Sequence, residues 1–439
     1  MIEAARACAQ VRAGKSMTEA LGALAVENSS FVSEPGRSNP AGAIRDIAYR
    51  TMRGRGRADA LLANLAHRKP ESPLLRELLV VAIALLDAGA GGGSDAIDAP
   101  SQAPYTPFTI VDQAVEAAAS LPELKNAKGF VNAVLRKLQR DRSRLVAAVT
   151  ENVEARWNYP AWWVAKLRAL YPQQWESLLE TGNTPPRLVL RVNRRKSGVS
   201  DYLERLKDAG LGARQIGASA VRLDTPLPVT RIPGFSEGLV SVQDEAAQRA
   251  APLLDVCDGM RVLDACAAPG GKTCHLLELA DLDLTALDVS AGRLTLVQQN
   301  LDRLKLTAKL QTGSASRPQD WWDGEPFDRI VADVPCTASG IVRRHPDIRW
   351  LRRESDIASL SRIQQQILDA LWRLLRPDGK LLLVTCSLFS EESINQSAAF
   401  AKRHRDARAL CAPGQLLPTV SEDGAEHDGL FFALFQKAA

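Results

Sequence analysis

The last 180 residues of the chain carry the pattern that most constrains its fold. Short apolar runs alternate with helix-like segments, and the runs are RVLDAC (261–266), LTALDV (284–289), AKLQTG (308–313), FDRIVADV (327–334) and GKLLLVTC (379–386). Apolar strands separated by helices are typical of a parallel sheet that is covered on both faces. A late run, GLFFALFQ (429–436), predicts a terminal strand.

The rest of the chain predicts two further domains. The segments with helical spacing of apolar residues are 43–53, 73–86, 108–121 and 127–140. We therefore expect an all-helical domain over 1–145, a helical linker with a small α/β bridge over 146–250, and the α/β domain over 251–439. The stretch 88–107 is rich in Gly, Ser and Pro and reads as an insertion.

Composition and cysteine usage narrow the class of protein. The chain has 46% hydrophobic and 24% charged residues, and its longest apolar run, LLVVAIALL (78–86), is shorter than the ~20 residues of a membrane helix. Seven cysteines without Cys-x-x-Cys spacing favour a reducing compartment and argue against a zinc site. The N-terminus lacks the features of a signal peptide. We expect a cytoplasmic monomer without a metal ion or a membrane association.

Basic residues are clustered, although the net charge is only +4. Four bursts stand out: RTMRGRGR (50–57), RKLQRDRSR (136–144), RVNRRK (191–196) and RRHPDIRWLRR (343–353). A single burst is usually a solvated face, but four in one chain favour a polyanionic partner. His345, inside the last burst, is either a loop imidazole packed beside Pro346 or a phosphate contact.

The stretch VLDACAAPGGKT (262–273) places a glycine turn after the first strand. A phosphate-binding P-loop needs glycine where Cys266 stands, and the dinucleotide fingerprint fails because only Gly270 and Gly271 are present. Asp288 ends the next strand, 17 residues after Gly271, which suits a carboxylate that meets ribose hydroxyls. A cofactor with adenosine but no phosphate fits this pattern, and S-adenosylmethionine is one. A structural turn with a surface aspartate stays the alternative.

Two cysteines follow strand ends, Cys336 in VADVPCTASG and Cys386 in LLLVTCSLFS. Ligands of parallel sheets bind at these ends. A thiol has a clear use in methylating carbon 5 of a pyrimidine, because thiolate addition to carbon 6 makes carbon 5 nucleophilic. Asp333 is placed to protonate N3 of the ring. Either thiol is chemically able to attack, and spacing alone does not decide between them.

Four motifs together resemble those of RNA 5-methylcytosine methyltransferases: DACAAPGGKT, LDVS, DRIVADVPCTASGIVRRHPDIRW and LLLVTCSLFSEESINQ. The N-terminal segment with FVNAVLRK resembles a NusB-like RNA-binding domain. This combination is similar to bacterial 16S rRNA cytosine-C5 methyltransferases of the RsmB (Sun/Fmu) type. The resemblance implies a multidomain protein with an all-α NusB-like domain, an α/β bridge and a class I, Rossmann-like methyltransferase domain.

The resemblance also implies roles for individual residues. Cys386 would be the nucleophile, Cys336 would assist release of the methylated base, and Asp333 would contact both cofactor and base. Asp288 would bind the ribose, and Ser314 stands where the family usually has an aspartate beside the adenine. The cofactor loop would comprise Cys266, Ala267, Ala268, Pro269, Gly270, Gly271 and Lys272.

The implied substrate is 16S ribosomal RNA with an unpaired or flipped-out cytidine. Two alternatives remain open at this point. DNA cytosine methyltransferases use the cysteine of a Pro-Cys motif, which here is Cys336. An RNA-binding assembly factor with a vestigial catalytic domain is the rival function, although the presence of both motif cysteines argues against it.

Overall fold

The computed structural model describes residues 1–27, 40–66, 68, 70, 72–89, 105–420 and 426–438. The chain divides into two compact units, Met1–Asn183 with Arg344–Arg352, and Thr184–Arg343 with Arg353–Ala439. Residues 90–104 of the expected insertion lie outside the described residues. None of the helices in the described ranges has both the length and the apolar character needed to cross a membrane.

The first unit is helical in its described part, as the sequence predicts. The apolar run Leu78–Leu86 forms the buried centre of one helix, and the buried Glu77 on the same helix binds Arg55 at 3.0 Å. The helices from the N-terminus onward are α1 (Ile2–Arg12), α2 (Met17–Glu27), α3 (Pro40–Leu65), α4 (Pro73–Gly89), α5 (Pro107–Ser120), α6 (Lys128–Val149), α7 (Val153–Trp157), α8 (Ala161–Leu170) and α9 (Trp175–Asn183).

The second unit begins with a small antiparallel sheet. Its strands pair in the order β2-β3-β1-β4, and Tyr202 and Leu206 of an amphipathic helix pack on the sheet. The elements are β1 (Val189–Val192), α10 (Val199–Asp208), β2 (Ala213–Gln215), β3 (Ala220–Leu223) and β4 (Val240–Val242). The predicted α/β bridge is therefore present.

A larger sheet follows, with the order β10-β13-β9-β8-β5-β6-β7 within the described residues. The five predicted strands, β5 to β9, are parallel. The predicted terminal strand, β13, runs antiparallel to β9. The strand β10 was not predicted. The strands are β5 (Arg261–Ala265), β6 (Asp283–Asp288), β7 (Lys309–Thr312), β8 (Phe327–Asp333), β9 (Leu375–Thr385), β10 (Ala407–Leu416) and β13 (Leu430–Lys437), and a hairpin of β11 (Thr419–Val420) and β12 (Glu426–His427) precedes the last strand.

Alternate residues of these strands face two separate hydrophobic cores. On β5, Val262 contributes to one core and Leu263 to the other, and on β9 Leu382 and Leu383 divide in the same way. The helices are α11 (Glu245–Gln248), α12 (Ala250–Leu253), α13 (Gly271–Leu279), α14 (Ala291–Leu304), α15 (Ile348–Leu351, within the first unit), α16 (Glu354–Arg373) and α17 (Ile394–Arg403). Helices α12 to α14 line the first core, and α16 and α17 the second. The sheet is thus covered on both faces, as its continuous apolar strands require.

The strand order reverses direction at β5. The chain runs from β5 through β6 to β7 on one side, and then returns to β8 and β9 on the other. Open α/β sheets bind ligands outside the carboxyl ends of their strands at such a switch point. The fold therefore predicts a ligand site at the loops that follow β5, β6, β8 and β9.

Candidate active site

The loop after β5 is a tight turn with two left-handed residues. Cys266 has φ 66° and Gly270 has φ 97°, and α13 begins at the next residue. A Cβ at Gly270 would lie 3.1 Å from the Cα and Cγ1 atoms of Val297, so glycine is required there both by the backbone and by the close approach of α14. The backbone N–H of Ala267 donates to the carbonyl of Leu287 at 2.9 Å, which joins the loop to β6.

Asp288 lies at the end of β6, where the sequence placed it, and its carboxylate supports the loop. The backbone N–H of Ala268 donates to Oδ2 at 3.2 Å, and the N–H of Ser290 donates to Oδ1 at 3.1 Å. Arg293 lies 3.4 Å from the same carboxylate, which is 2% exposed. A carboxylate has about four lone-pair sites, so Asp288 keeps the capacity to accept further hydrogen bonds.

Asp264 is a buried carboxyl group that the sequence reasoning did not single out. It lies on β5, is 0% exposed, and accepts a hydrogen bond of 2.6 Å from the Thr273 hydroxyl on α13. Its Oδ1 has no hydrogen-bond partner among the described residues. Burial raises its pKa to about 7, even though Thr273 and Lys272 act in the opposite direction. In the sequence, only its position on the strand that precedes the glycine turn marked it.

Lys272 belongs to the predicted cofactor loop, but its ammonium reaches the end of β8. Its Nζ donates to Oδ2 of Asp333 at 2.6 Å. Burial opposes protonation of Lys272, but Asp333 outweighs burial and the pKa of the ammonium is raised. The charges of Asp264 and of a Cys386 thiolate raise it further. The structure thus brings the loop, Asp333 and Cys386 into one site.

The loop is surrounded by negative charge. Burial raises the pKa of the Cys266 thiol to about 12, and the three carboxylates at positions 333, 288 and 264 contribute to the shift. Arg293 acts in the opposite direction. A crevice lined by carboxylates favours a cationic ligand over a phosphate.

The two motif cysteines meet at the carboxyl ends of β8 and β9. Their Sγ atoms are 3.4 Å apart. Cys336 is 7% exposed, whereas Cys386 is only partly buried. The hydrogen bond to Cys386 and burial raise the pKa of the Cys336 thiol well above its ordinary value, and the charge of Glu392 adds to this shift. The two thiols are therefore electrostatically unequal.

Glu392 is a second residue that the sequence reasoning missed. It lies in a 3₁₀ turn after β9 (Ser390–Glu392) and is 0% exposed. The hydroxyls of Thr337 and Ser387 each donate to its Oε2 at 2.5 Å, and the backbone N–H of Thr337 donates to Oε1 at 2.9 Å. Only the run SEES, which reads as a surface turn, marked this position in the sequence.

Ser314 lies in the loop after β7, and its side chain is partly buried. Its hydroxyl is 2.9 Å from that of Ser316, and its carbonyl accepts a hydrogen bond from the Trp321 indole at 2.8 Å. The loop is thus ordered by its own contacts, and the contact of Ser314 with adenine stays a prediction.

Two arginines of the basic burst at 343–353 are buried, whereas Arg353 is exposed. Arg343 is 2% exposed and donates to Glu426 at 2.7 Å, and Arg349 is 0% exposed and donates to the Gly182 carbonyl at 2.7 Å. Burial lowers the pKa of His345, so a neutral imidazole supplies no charge for a phosphate. Arg343 and Arg349 are therefore not available to a polyanion, because each donates hydrogen bonds to a buried carboxylate or carbonyl group.

A buried arginine ties the small sheet to the cofactor loop within the second unit. Arg191, 1% exposed, forms two hydrogen bonds with Glu278 of α13, at 2.8 and 2.9 Å. It also donates to the carbonyl of Gly271 at 2.9 Å. Arg191 of the RVNRRK burst is thus buried. A buried arginine has to be paired with a carboxylate and hydrogen-bonded, and the bidentate pair with Glu278 provides this.

Two family models match the chain. The model of the 16S rRNA methyltransferase RsmB/F family matches residues 251–435, and an RsmF/B-like, ferredoxin-like domain model matches residues 159–230. The chain is 39% identical over 455 aligned positions to ribosomal RNA small subunit methyltransferase B of Pseudomonas putida. This alignment covers 100% of the chain and 98% of the relative.

Solved structures show the same architecture. The crystal structure of PH0851 has a TM-score of 0.75 with 23% identity and covers 100% of this chain and 99% of that one. A methyltransferase homologue from Pyrococcus horikoshii has a TM-score of 0.56 with 28% identity, over 65% of this chain and 97% of that one.

Proposed function

The chain belongs to the 16S rRNA methyltransferase RsmB/F family, and from that premise we propose the reaction of its site. It transfers a methyl group from S-adenosylmethionine to carbon 5 of a cytidine in 16S rRNA, through a covalent bond between a cysteine and carbon 6. The observation that supports this most directly is the pair of thiols, Cys336 and Cys386, 3.4 Å apart beside the Lys272–Asp333 ion pair.

The residues present fit the cofactor. Its sulfonium and ammonium groups are cationic, and the carboxylates of Asp288 and Asp333 lie beside the loop. The loop 266–272 would hold the cofactor by its backbone, with Asp288 on the ribose hydroxyls and Ser314 beside the adenine. When bound, S-adenosylmethionine supplies an electrophilic methyl group.

The surroundings of the two thiols support Cys386 as the nucleophile. Cys386 is the more exposed thiol, and a charge on its sulfur interacts favourably with the Lys272 ammonium. Cys336 is buried near Glu392, which disfavours its thiolate. A nucleophile has to be accessible and must not lie against a negative charge, and Cys386 suits this better than the buried Cys336.

Cys336 assists the last step of the reaction. The Cys386 thiolate adds to carbon 6, and the electron pair displaced from the ring double bond makes carbon 5 nucleophilic. After carbon 5 has been methylated, its proton leaves to water and the bond between carbon 6 and Sγ of Cys386 breaks. The Cys336 S–H, 3.4 Å from the departing sulfur, donates a hydrogen bond to the new thiolate and makes it a better leaving group.

The Lys272–Asp333 pair serves the addition step. Protonation at N3 of the cytosine promotes thiolate addition to carbon 6. In the structure the proton of the pair is on Nζ of Lys272, and Oδ2 of Asp333 accepts it in a hydrogen bond. For this step the proton moves from Nζ of Lys272 to Oδ2 of Asp333 and from there to N3 of the base, which leaves Lys272 neutral and Asp333 ionised.

The RNA partner is supported by exposed basic residues outside this site. Arg136, Arg140 and Arg144 are exposed on α6, and Arg194 and Lys196 are exposed after β1. We assign RNA binding to the helical domain (1–145) and to the bridge (146–250), and catalysis to 251–439. We expect the protein to act as a cytoplasmic monomer on an unpaired or flipped-out cytidine.

Replacement of the two cysteines tests the proposal. Cys386→Ala is expected to abolish methyl transfer to a 16S rRNA fragment, because no thiolate then activates the ring. Cys336→Ala is expected to retain addition but slow release, so that a covalent protein–RNA adduct accumulates on a denaturing gel. Cys411→Ala, at an exposed position on β10, is the matched control.

Two outcomes would contradict the proposal. Full activity of Cys386→Ala would remove the covalent mechanism. An adduct that accumulates only when Cys386 is replaced would exchange the roles of the two cysteines. Mapping of the methylated position in the product by mass spectrometry of nucleosides tests carbon 5 independently.

A further inference from the structure

The buried carboxylate of Glu392 has no role in the reaction steps above, yet it joins the two cysteine loops. Thr337 follows Cys336 directly in the chain, and Ser387 follows Cys386. Both hydroxyls donate to the same carboxylate oxygen at 2.5 Å. Glu392 therefore connects the ends of β8 and β9 one residue away from each sulfur atom.

We propose that Glu392 is a positioning residue that holds the two thiols at their mutual distance and keeps Cys336 in its neutral S–H form. The inference rests on the proposed function, because only that reaction gives the two thiols different tasks.

The positioning part follows from the hydrogen bonds around the carboxylate. Besides the two hydroxyls, the N–H of Thr337 donates to Oε1 at 2.9 Å. The N–H of Gly340 donates to the carbonyl of Cys386 at 2.8 Å, and the N–H of Leu388 donates to the hydroxyl of Ser339 at 2.7 Å. The two loops are thus joined at three points, and the separation of 3.4 Å between the sulfurs is set by bonds that are all buried.

The electrostatic part follows from the cost of burying a charge. A carboxylate at 0% exposure costs several kcal/mol in desolvation unless hydrogen bonds repay it, and here two hydroxyls and one backbone N–H donate to its two oxygens. These three donors stabilise the ionised carboxylate, so a buried negative charge is held between the two loops. That charge disfavours a thiolate at Cys336, whereas the Lys272 ammonium interacts favourably with a thiolate at Cys386.

The groups that face the Cys336 thiol act in two directions. The Cys386 sulfur at the end of β9 and the Glu392 carboxylate both disfavour a charge on Cys336, and burial does the same. The backbone N–H of Ala338 favours the charge, but it is outweighed and the pKa of Cys336 is raised. Removal of the Glu392 charge is therefore expected to lower the pKa of the Cys336 thiol.

The test measures how fast iodoacetamide alkylates Cys336 as a function of pH. The full chain carries Cys386→Ser, and peptides are quantified by mass spectrometry with Glu392 or with Glu392→Gln. Glutamine keeps the size of the side chain and removes the charge, so the midpoint of the Cys336 profile is expected to fall. It also loses the hydrogen bond from the Thr337 N–H, and Ser387→Ala below serves as the control for loss of a hydrogen bond without loss of the charge. The exposed thiols Cys257 and Cys411 are internal controls and are expected to keep their profiles.

A change of packing gives a different result from a change of charge. Faster alkylation of Cys336 at every pH with an unchanged midpoint would mean that Glu392→Gln only loosens the loops, and would overturn the electrostatic role. A lowered midpoint in Glu391→Gln, the neighbouring control, would do the same.

Should Glu392→Gln fail to fold, Ser387→Ala decides the matter. It removes one hydrogen bond and keeps the charge, so the midpoint of Cys336 is expected not to fall, whereas methyl transfer by the variant with Cys386 intact is expected to slow. A lowered midpoint in Ser387→Ala would refute the inference.

The assay needs neither RNA nor cofactor, so it separates the two proposals. Carbon-5 methylation by the unsubstituted chain together with an unshifted midpoint in Glu392→Gln would overturn this inference and leave the proposed function standing. A shifted midpoint without carbon-5 methylation would count against the proposed function alone and support the electrostatic role of Glu392.

Discussion

Asp264 allows a quantitative prediction about stability and pH. Burial raises its pKa to about 7 in the folded protein, from 3.8 in the unfolded chain. Between these two pKa values the folded state holds a proton that the unfolded state has released. The free energy of unfolding therefore decreases as pH rises through this window, by about 1.36 kcal/mol per unit and about 4 kcal/mol in total.

The substitution Asp264→Asn isolates this contribution. Asparagine resembles the protonated carboxyl group in shape and keeps an oxygen to accept the Thr273 hydroxyl, but it does not titrate. At pH 5 we expect Asp264→Asn to be more stable than the unsubstituted chain by between about 1 and 2 kcal/mol, because the window from pH 3.8 to 5 has been crossed. By pH 8 the variant is expected to gain about 3 kcal/mol relative to the unsubstituted chain, since most of the window between pH 5 and 7 has then been crossed.

The assay is urea unfolding followed by circular dichroism at pH 5, 6, 7 and 8. Asp302→Asn, at an exposed position on α14, is the control for loss of one negative charge and is expected to show no such trend. A stability difference between Asp264→Asn and the unsubstituted chain that stays constant from pH 5 to pH 8 would show that Asp264 does not titrate in this range, and would refute the argument.

Two further predictions concern the catalytic pair and the cofactor loop. Lys272→Met leaves Asp333 without its proton source, so the single-turnover rate of methyl transfer is expected to fall at least about 100-fold. The control Lys309→Met, at an exposed position on β7, is expected to leave this rate unchanged. Equal rates for both variants would exclude the role of the pair. Gly270→Ala adds a 3.1 Å contact to a left-handed backbone and is expected to cost about 1–3 kcal/mol and to weaken cofactor binding in calorimetry. Gly259→Ala, also left-handed but in open space, is the matched control, and an equal loss of stability there would remove the steric argument.

Much of the fold was predictable because its signals are local. The apolar runs of β5 to β9 are continuous, and the helices between them have a different period, so a doubly covered sheet follows from the sequence alone. The strand β10 was missed because its residues are exposed or partly buried and include Pro413 and Gly414, which weaken a strand signal. The antiparallel direction of β13 was not predictable either, since the apolar pattern of a strand is the same in both directions.

The site was predictable where one residue carries the chemistry by itself. The two thiols and the carboxylates at the strand ends stand out because strand ends are recognisable in sequence and because thiols are rare. The unequal charge around the thiols was not predictable, because it comes from Glu392 and Lys272, which lie 56 and 64 residues away from Cys336 along the chain.

The sequence by itself determined which chemistry this protein carries: two cysteines at strand ends behind a glycine turn, on a sheet whose apolar runs leave little freedom of fold. Only the tertiary structure decided that the two thiols meet, with Cys336 buried near Glu392 and Cys386 partly exposed. The physical reason is that the reactivity of a thiol depends on its solvent access and on charges within a few ångströms. Both are set by which strands are neighbours in the sheet, and the local sequence pattern does not encode this.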